Sequence, residues 1–315
     1  MHITEQILLQ TLNYIIHTIP VFIAAIFIMS LLNYGGYIHK ISWIARPLMR
    51  FGHLHESLGI TFMTAFGSPS AASAMLRTLH EKGLISRKEV IIAVLSNAFP
   101  VMIMEARTML PVMISFLGET GLVIFGIIIT TRFIQTLAAL TIGRFIFAGP
   151  DRGNDSLPVS NERLTGILLL KKSVNETFSL IKRIVKITIP VTILIFTLIE
   201  AGVFNYIALK IQFLSLIFKI PLEGLTIVAA YFGNYMAAYT VAGNLLSKGI
   251  LTPSEIIITI LTAKVLSSIF FAVRHSTPYY IGIFGSGLGL RITILNTLFR
   301  NCFDIGAIIL LKFIL

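Results

Sequence analysis

Seven ionisable residues stand inside stretches that are otherwise apolar: Glu105, Arg107, Arg132, Lys264, Arg274, Arg300 and Asp304. Five are cations and two are anions, a formal surplus of three positive charges. A charge in an apolar segment long enough to cross a bilayer costs several kcal/mol, at roughly 3 or more. Such a residue therefore needs a partner, a wet cavity or a ligand. Arginine forks beside a break in a helix suit a carboxylate or a phosphate. Arg107 and Arg274 lie beside helix-breaking residues, and Lys264 follows in the same kind of segment. Arg132 and Arg300 have a structural alternative: pairing with Asp304 and carbonyls, or reaching back to an interface. Glu105 is the candidate for coupling an ion to movement of a solute.

The elements that must hold these residues are membrane spans. The chain has 315 residues, 56% hydrophobic and 12% charged, with mean hydropathy +0.88. Soluble domains carry about 25% charged residues. Apolar runs of about 20 residues match a hydrocarbon core of roughly 30 Å. The spans are expected at 8–32, 88–118 and 120–142, and again at 185–206, 255–285 and 292–314. The first is expected to be a retained helix, because no Lys or Arg precedes it and no A-x-A site follows. Amphipathic stretches are expected at 37–55 and 207–221.

Two shorter segments, 58–80 and 224–246, are apolar with a polar break. The first centres on Gly67-Ser68-Pro69-Ser70 and the second on Gly233-Asn234-Tyr235. Pro69 lacks an amide donor and disfavours helix at Ser68. Ser68 or Ser70 can cap a new helix start. Each arm has about ten residues, too short to cross. The pattern predicts a re-entrant helical hairpin; a tilted, kinked helix is the alternative. The spans 88–118 and 255–285 are too long for one straight crossing helix. They carry breakers and polar groups: Ser96, Asn97, Pro100 and Pro111, then Ser267, Ser268, His275 and Pro278. Discontinuous helices are expected there. Unwound backbone at membrane depth must line a cavity or be buried in protein. Substrate-binding candidates are therefore Ser68, Ser70, Asn97, Arg107, Asn234, Tyr235, Lys264 and Arg274.

The halves repeat. Gly67 and Gly233, Gly83 and Gly249, and Glu89 and Glu255 are each 166 residues apart. Arg107 and Arg274, Pro111 and Pro278, and Gly118 and Gly285 are 167 apart, and Arg132 and Arg300 are 168 apart. Residues 1–148 form a first repeat, 149–172 a polar linker and 173–315 a second repeat. Charge sets the orientation. With three crossings and a re-entrant hairpin per half, loops 33–57, 77–89, 143–186 and 286–291 share one face. They hold 16 of the 25 Lys and Arg residues. That face is cytoplasmic, the N-terminus lies outside, and an odd number of crossings inverts the second half. The fold is thus expected to be all-α and polytopic, with two inverted-topology repeats.

Other patterns are weaker. His53, His55 and Glu56 sit in a basic loop and read as a solvated face. His275 can relay protons or be a hydrogen-bonded structural histidine. Cys302 is the only cysteine, so intrachain disulfides and cysteine-cluster metal sites are excluded. No phosphate loop, H-E-x-x-H or G-x-S-x-G motif occurs, and no nucleophile–base pair stands out, so no enzyme is expected. The net charge of +11 is spread over loops, without a basic stripe interleaved with aromatics, so no nucleic-acid partner is expected.

The segments FGSPSAASAMLRTLHEKGLISRKEV (66–90) and SNAFPVMIMEARTMLP (96–111) carry a resemblance, as do their second copies, FGNYMAAYTVAGNLLSKGILTPSEI (232–256) and AKVLSSIFFAVRHSTP (263–278). In this plan the chain resembles the Gate (nucleoside recognition) family over roughly 10–147 and 173–315. That family is related to spore-maturation membrane proteins, the membrane region of ferrous-iron transport protein B and concentrative nucleoside transporters. The resemblance implies a transport core with its substrate between hairpin tips and broken helices.

The reading that follows is a secondary transporter or permease for a small polar, anionic solute, working by alternating access in a prokaryotic plasma membrane. A non-transporting membrane scaffold or sensor and a nucleoside transporter are the alternatives. The bilayer and a small solute are the expected partners, and a homo-oligomer or partner membrane protein is compatible with the sequence. No cofactor or metal is expected.

Overall fold

A computed structural model describes residues 51–147 and 218–314 almost continuously, with 165–179 and a few isolated positions besides. The spans at 8–32 and 185–206, most of both amphipathic stretches and most of the linker lie outside the described residues. Every described element is helical. In order these are α1 (Ser57–Ala65), α2 (Pro69–Glu81), α3 (Arg87–Ser96), α4 (Ala98–Leu117) and α5 (Glu119–Ile146). Then come α6 (Gly224–Gly233), α7 (Tyr235–Ser247), α8 (Pro253–Phe271), a π-helical turn (Ala272–Ser276) and α9 (Thr277–Ile314). Among the described residues, α4, α5, α8 and α9 are long and apolar enough to cross a bilayer. Large apolar side chains such as Phe145, Phe178, Ile269 and Phe313 stay exposed. Lipid, not water, is the natural neighbour of such a surface.

Local chemistry explains where the helices stop and start. After α2, Gly83 adopts φ 72° and Leu84 N–H donates to Leu79 O (3.0 Å). After α7, Gly249 adopts φ 66° and Ile250 N–H donates to Leu245 O (3.0 Å). Both are glycine C-caps closed by a six-residue bond, in a conformation that a Cβ would strain. Three residues after each glycine a capping box opens the next helix. Ser86 N–H donates to Glu89 Oε2 (2.7 Å), and Thr252 N–H donates to Glu255 Oε2 (2.8 Å). K-G-L-I-S-x-x-E and K-G-I-L-T-x-x-E thus fold alike.

The two broken spans differ in where they break. Between α3 and α4, Asn97 (φ −72°, ψ 2°) is a single non-helical residue. Helix α4 then runs uninterrupted past Arg107 and Pro111, so the break expected beside Arg107 lies ten residues earlier. Pro111 removes only the bond to the Arg107 carbonyl, and its ring is buried inside a helix packed along α5. In the second span α8 runs to Phe271, and the break is the π-turn holding Arg274. Glycine then reverses the chain after each of these spans. Gly118 (φ 56°) separates α4 from α5, and Gly285 (φ 79°) folds α9 back on itself. Gly289 consequently lies so close to the Tyr280 carbonyl that a Cβ there would collide with it.

Contacts sort the loops into two ends. At one end His53 Nδ1 meets Phe147 O (3.3 Å), and Gly143 touches Gly52, Leu54 and Ile92. His80 and Arg87 there share a cavity wall with Phe284–Arg291 residues. At the other, Lys312 Nζ donates to Phe218 O, Gly224 packs on Thr259, and Gly243 presses on the Phe116 carbonyl. A core of Leu58, Phe66, Leu76, Leu95, Leu140 and Ile292 fills the first. Met113, Ile128, Ile227, Tyr239, Ile260 and Ile308 belong to the core of the second.

Candidate functional site

Near the middles of three spans, side chains with charge converge on one carboxylate. Arg132 on α5 donates twice to Asp304 on α9, from Nη2 to Oδ1 (2.8 Å) and Oδ2 (2.7 Å). Its Nη1 donates to Gln135 Oε1 (2.5 Å), one turn along the same helix. Lys264 on α8 reaches the same carboxylate at 3.4 Å. The Asp304 side chain is 3% exposed, Arg132 7% and Lys264 17%. Arg300, one turn before Asp304, and Glu105 on α4 lie within electrostatic reach of this group. Beside it, Asn301 Nδ2 donates to Ser268 Oγ (2.6 Å), while Asn301 Oδ1 is buried with no hydrogen-bond partner among the described residues. The five ionisable members carry three positive and two negative charges. Bidentate pairing with Arg132 holds Asp304 firmly, and Lys264 is the second cation on the same acid.

The pairing expected as the structural alternative for Arg132 is therefore present, and Lys264 joins it. Of the candidates, Glu105 and Lys264 belong to this cluster. Asn97 is buried at the α3–α4 break, and its Oδ1 is without a hydrogen-bond partner among the described residues. Next to it, Thr136 on α5 donates to Ser96 O (2.8 Å) and accepts from Phe99 N–H (3.1 Å). Those bonds satisfy the backbone that the break exposes. Arg107 turns Nε back to Met104 O (3.3 Å). Arg274 lies in the π-turn, and its side chain is outside what the structure describes. His275 is exposed, against the Phe271 ring (4.9 Å).

The tips of the two helix pairs are built by caps. Ser68 precedes Pro69, the first residue of α2, and its carbonyl accepts from Ala72 N–H (3.0 Å); Ser70 is exposed in the first turn. Asn234 is extended (φ −163°) and its Oδ1 accepts from Met236 N–H (2.9 Å), so it caps α7. Tyr235 begins α7 with its ring edge-on to Tyr239 (5.8 Å). At each tip the phenylalanine before the glycine packs on one beside the break. Phe66 meets Phe99 (6.1 Å) and Phe232 meets Phe270 (5.1 Å). The first tip also touches the other half, because Tyr279 Oη donates to Ser73 Oγ (3.1 Å) and lies 3.3 Å from Pro69 O.

Tyr279, Asn301 and Thr136 were not among the residues singled out from sequence. Asn301, an amide within an apolar run beside Arg300, was the available signal. Tyr279 and Thr136 read as ordinary span residues, since nothing local marks a partner 206 or 40 positions away.

The nucleoside recognition family, called Gate, matches residues 15–120. The chain is similar to the uncharacterized protein MJ1556 of Methanocaldococcus jannaschii, 31% identical over 302 residues, covering 94% of each chain. It is also similar to the uncharacterized proteins MJ0880 and MJ0871 of the same archaeon. These are 24% identical over 85% of this chain and 88% of the relative, and 26% identical over 95% and 94%. No solved structure matches. The chain is thus a multi-pass membrane protein that belongs to the transport-related Gate, or nucleoside recognition, family.

Proposed function

We propose that the protein is a secondary transporter for a small polar solute carrying an anionic group. The observation that carries this reading is the cluster around the buried Arg132–Asp304 pair, where Lys264 reaches the same carboxylate and the half-buried Arg300 and exposed Glu105 lie within electrostatic reach, so that the group holds one positive charge more than its acids offset. An uncompensated charge at membrane depth costs several kcal/mol, roughly 3 or more. A carboxylate or phosphate arriving beside Lys264 and Arg300 removes that cost. Asn301 Oδ1 and Asn97 Oδ1 are acceptors left over for the solute's hydroxyl or amide donors. Ser68, Ser70, Asn234 and Tyr235 at the tips, with Arg107 and Arg274, complete the proposed lining. Glu105 is the proposed coupling site.

Inverted repeats and re-entrant hairpins are part of this proposal. The arms α1, α2, α6 and α7 have 9 to 13 residues, too few to span. In this reading the two pairs open at opposite ends, and matching caps at a constant offset support a common ancestry. The proposed repeats are 1–148 and 173–315, joined by a cytoplasmic linker at 149–172. The π-turn fits a substrate-lining break, since such bulges concentrate at functional sites. Mutual approach of each tip to the broken helices, as at Phe232–Phe270 and Tyr279–Ser73, suits alternating access around a midplane site.

The family match favours a second reading, in which the solute is a nucleoside. Uptake into proteoliposomes separates them, with carboxylates, phosphate esters and nucleosides offered in turn. Anion-dependent uptake that is lost in Lys264→Met supports the first reading. Uptake of uncharged nucleosides at full rate in Lys264→Met sinks it and leaves the second.

A further inference from the structure

A second basic site lies away from the span cluster. A cavity of about 290 Å³ is lined by His80 at the end of α2, Arg87 at the start of α3, and Phe284, Gly285, Ser286, Gly287, Leu288 and Arg291 around the reversal in α9. We propose that this cavity binds a phosphate ester, carried either on a lipid headgroup or on a free small molecule, and so ties the two halves together at this end.

Several features point to that chemistry. Neither Arg87 nor Arg291 makes an ion pair or a side-chain hydrogen bond among the described residues. The nearby acids are already engaged: Glu81 by Arg77 (2.7 Å) and Glu89 by the amide of Ser86 (2.7 Å). Both arginines are exposed on the cavity wall, within reach of a ligand, and their guanidinium forks match phosphate oxygens bidentately. His80 adds a third polar wall. Its Nδ1–H donates to Ile85 O (2.9 Å), which fixes the ring. On the opposite wall, the positive φ of Gly285 restarts the helix at Ser286. The first amides of a helix have no intrahelical acceptor and favour anions. Gly285 and Gly287 have open space where a Cβ would stand, so an oxygen can approach the backbone. Phe284 and Leu288 add apolar contact suited to a ligand at a membrane surface. The loops that supply these residues, 77–89 and 286–291, share the cytoplasmic face by charge.

The test uses full-length protein and its thermal transition. Inorganic phosphate is titrated against chloride at equal ionic strength. Separately, the protein is placed in phosphatidylcholine nanodiscs with and without phosphatidylglycerol. The variants are Arg87→Gln, Arg291→Gln and, as a control, Lys88→Gln, which removes an exposed neighbouring charge that does not line the cavity. The expected result is stabilisation of the wild type, an apparent affinity weakened about tenfold by each arginine change, and no such weakening in Lys88→Gln. Stabilisation by phosphatidylglycerol alone identifies a lipid headgroup; stabilisation by inorganic phosphate identifies a free phosphate ester. Absence of stabilisation by either probe overturns the proposal. So does equal weakening in Lys88→Gln, which would mean diffuse surface charge.

Discussion

Asp304 is held by two cations from two other helices, so changes at this cluster separate structural from ligand-binding roles. Removing Arg132 takes away a bidentate partner at a buried site. Breaking a buried ion pair from one side costs about 3–5 kcal/mol. Arg132→Met is therefore expected to lower unfolding free energy by that amount in detergent, and Asp304→Asn to do the same by leaving Arg132 and Lys264 unmatched. The double variant should recover part of the loss, because the orphaned charge is gone as well. Additive losses would mean that the pair is not coupled. Lys264 stands at 3.4 Å with more exposure, so Lys264→Met should cost less than Arg132→Met while removing anion-dependent stabilisation. The types of these residues were legible in sequence because charges in apolar runs are conspicuous. Their partnership was not, since Arg132 and Asp304 are 172 positions apart and only packing of α5 on α9 chooses the pair.

Helix boundaries depend on neighbours a few residues away, and these were the most legible parts. Ser68 and Asn234 mark starts because their side chains or carbonyls satisfy orphan amides locally. The break positions were less so. Pro111 looked like a breaker, yet packing along α5 keeps α4 whole around it. The π-turn at Ala272–Ser276 has no proline inside it and announces itself only through Pro278 nearby. Two changes test the elements. Thr252→Ala removes the hydroxyl half of the second capping box and Glu255→Ala the carboxylate half, and Thr252→Ala should cost about 1 kcal/mol of stability. A value near zero would mean that tertiary contacts alone set the start of α8. Gly243→Ala drives a Cβ into the Phe116 carbonyl, where backbone rather than a flexible side chain must yield. A loss of about 1–3 kcal/mol is expected, against little change for Gly233→Ala, which has open space.

At the scale of the whole molecule the question is which end faces which side. Charge counting put loops 77–89 and 286–291 together, and the structure brings them to one cavity wall. Lys312, at the end of α9, donates to the Phe218 carbonyl, so these two segments share an end. Cysteine labelling checks the assignment in a Cys302→Ser background. Lys82→Cys should react with an impermeant maleimide only from the cytoplasmic side, and Lys248→Cys only from outside. These residues follow equivalent helices 166 positions apart, so labelling from the same side would refute inversion.

The proposed duplication is not exact where charge is concentrated. At the 168-residue offset that relates Arg300 to Arg132, the counterpart of Asp304 is Thr136. At the 167-residue offset of Arg274 and Arg107, the counterpart of Lys264 is Asn97. One half holds a buried ion pair where the other holds two neutral groups. A machine with identical halves has two mirror-image arrangements of equal energy and spends half its time in each. Here the mirror is broken. A bias of about 3 kcal/mol, the size of one such pair, would park about 99% of the molecules on one side. In the proposed alternating-access transporter, that bias would give a resting orientation, and the arriving solute would supply the free energy that lets the protein leave it.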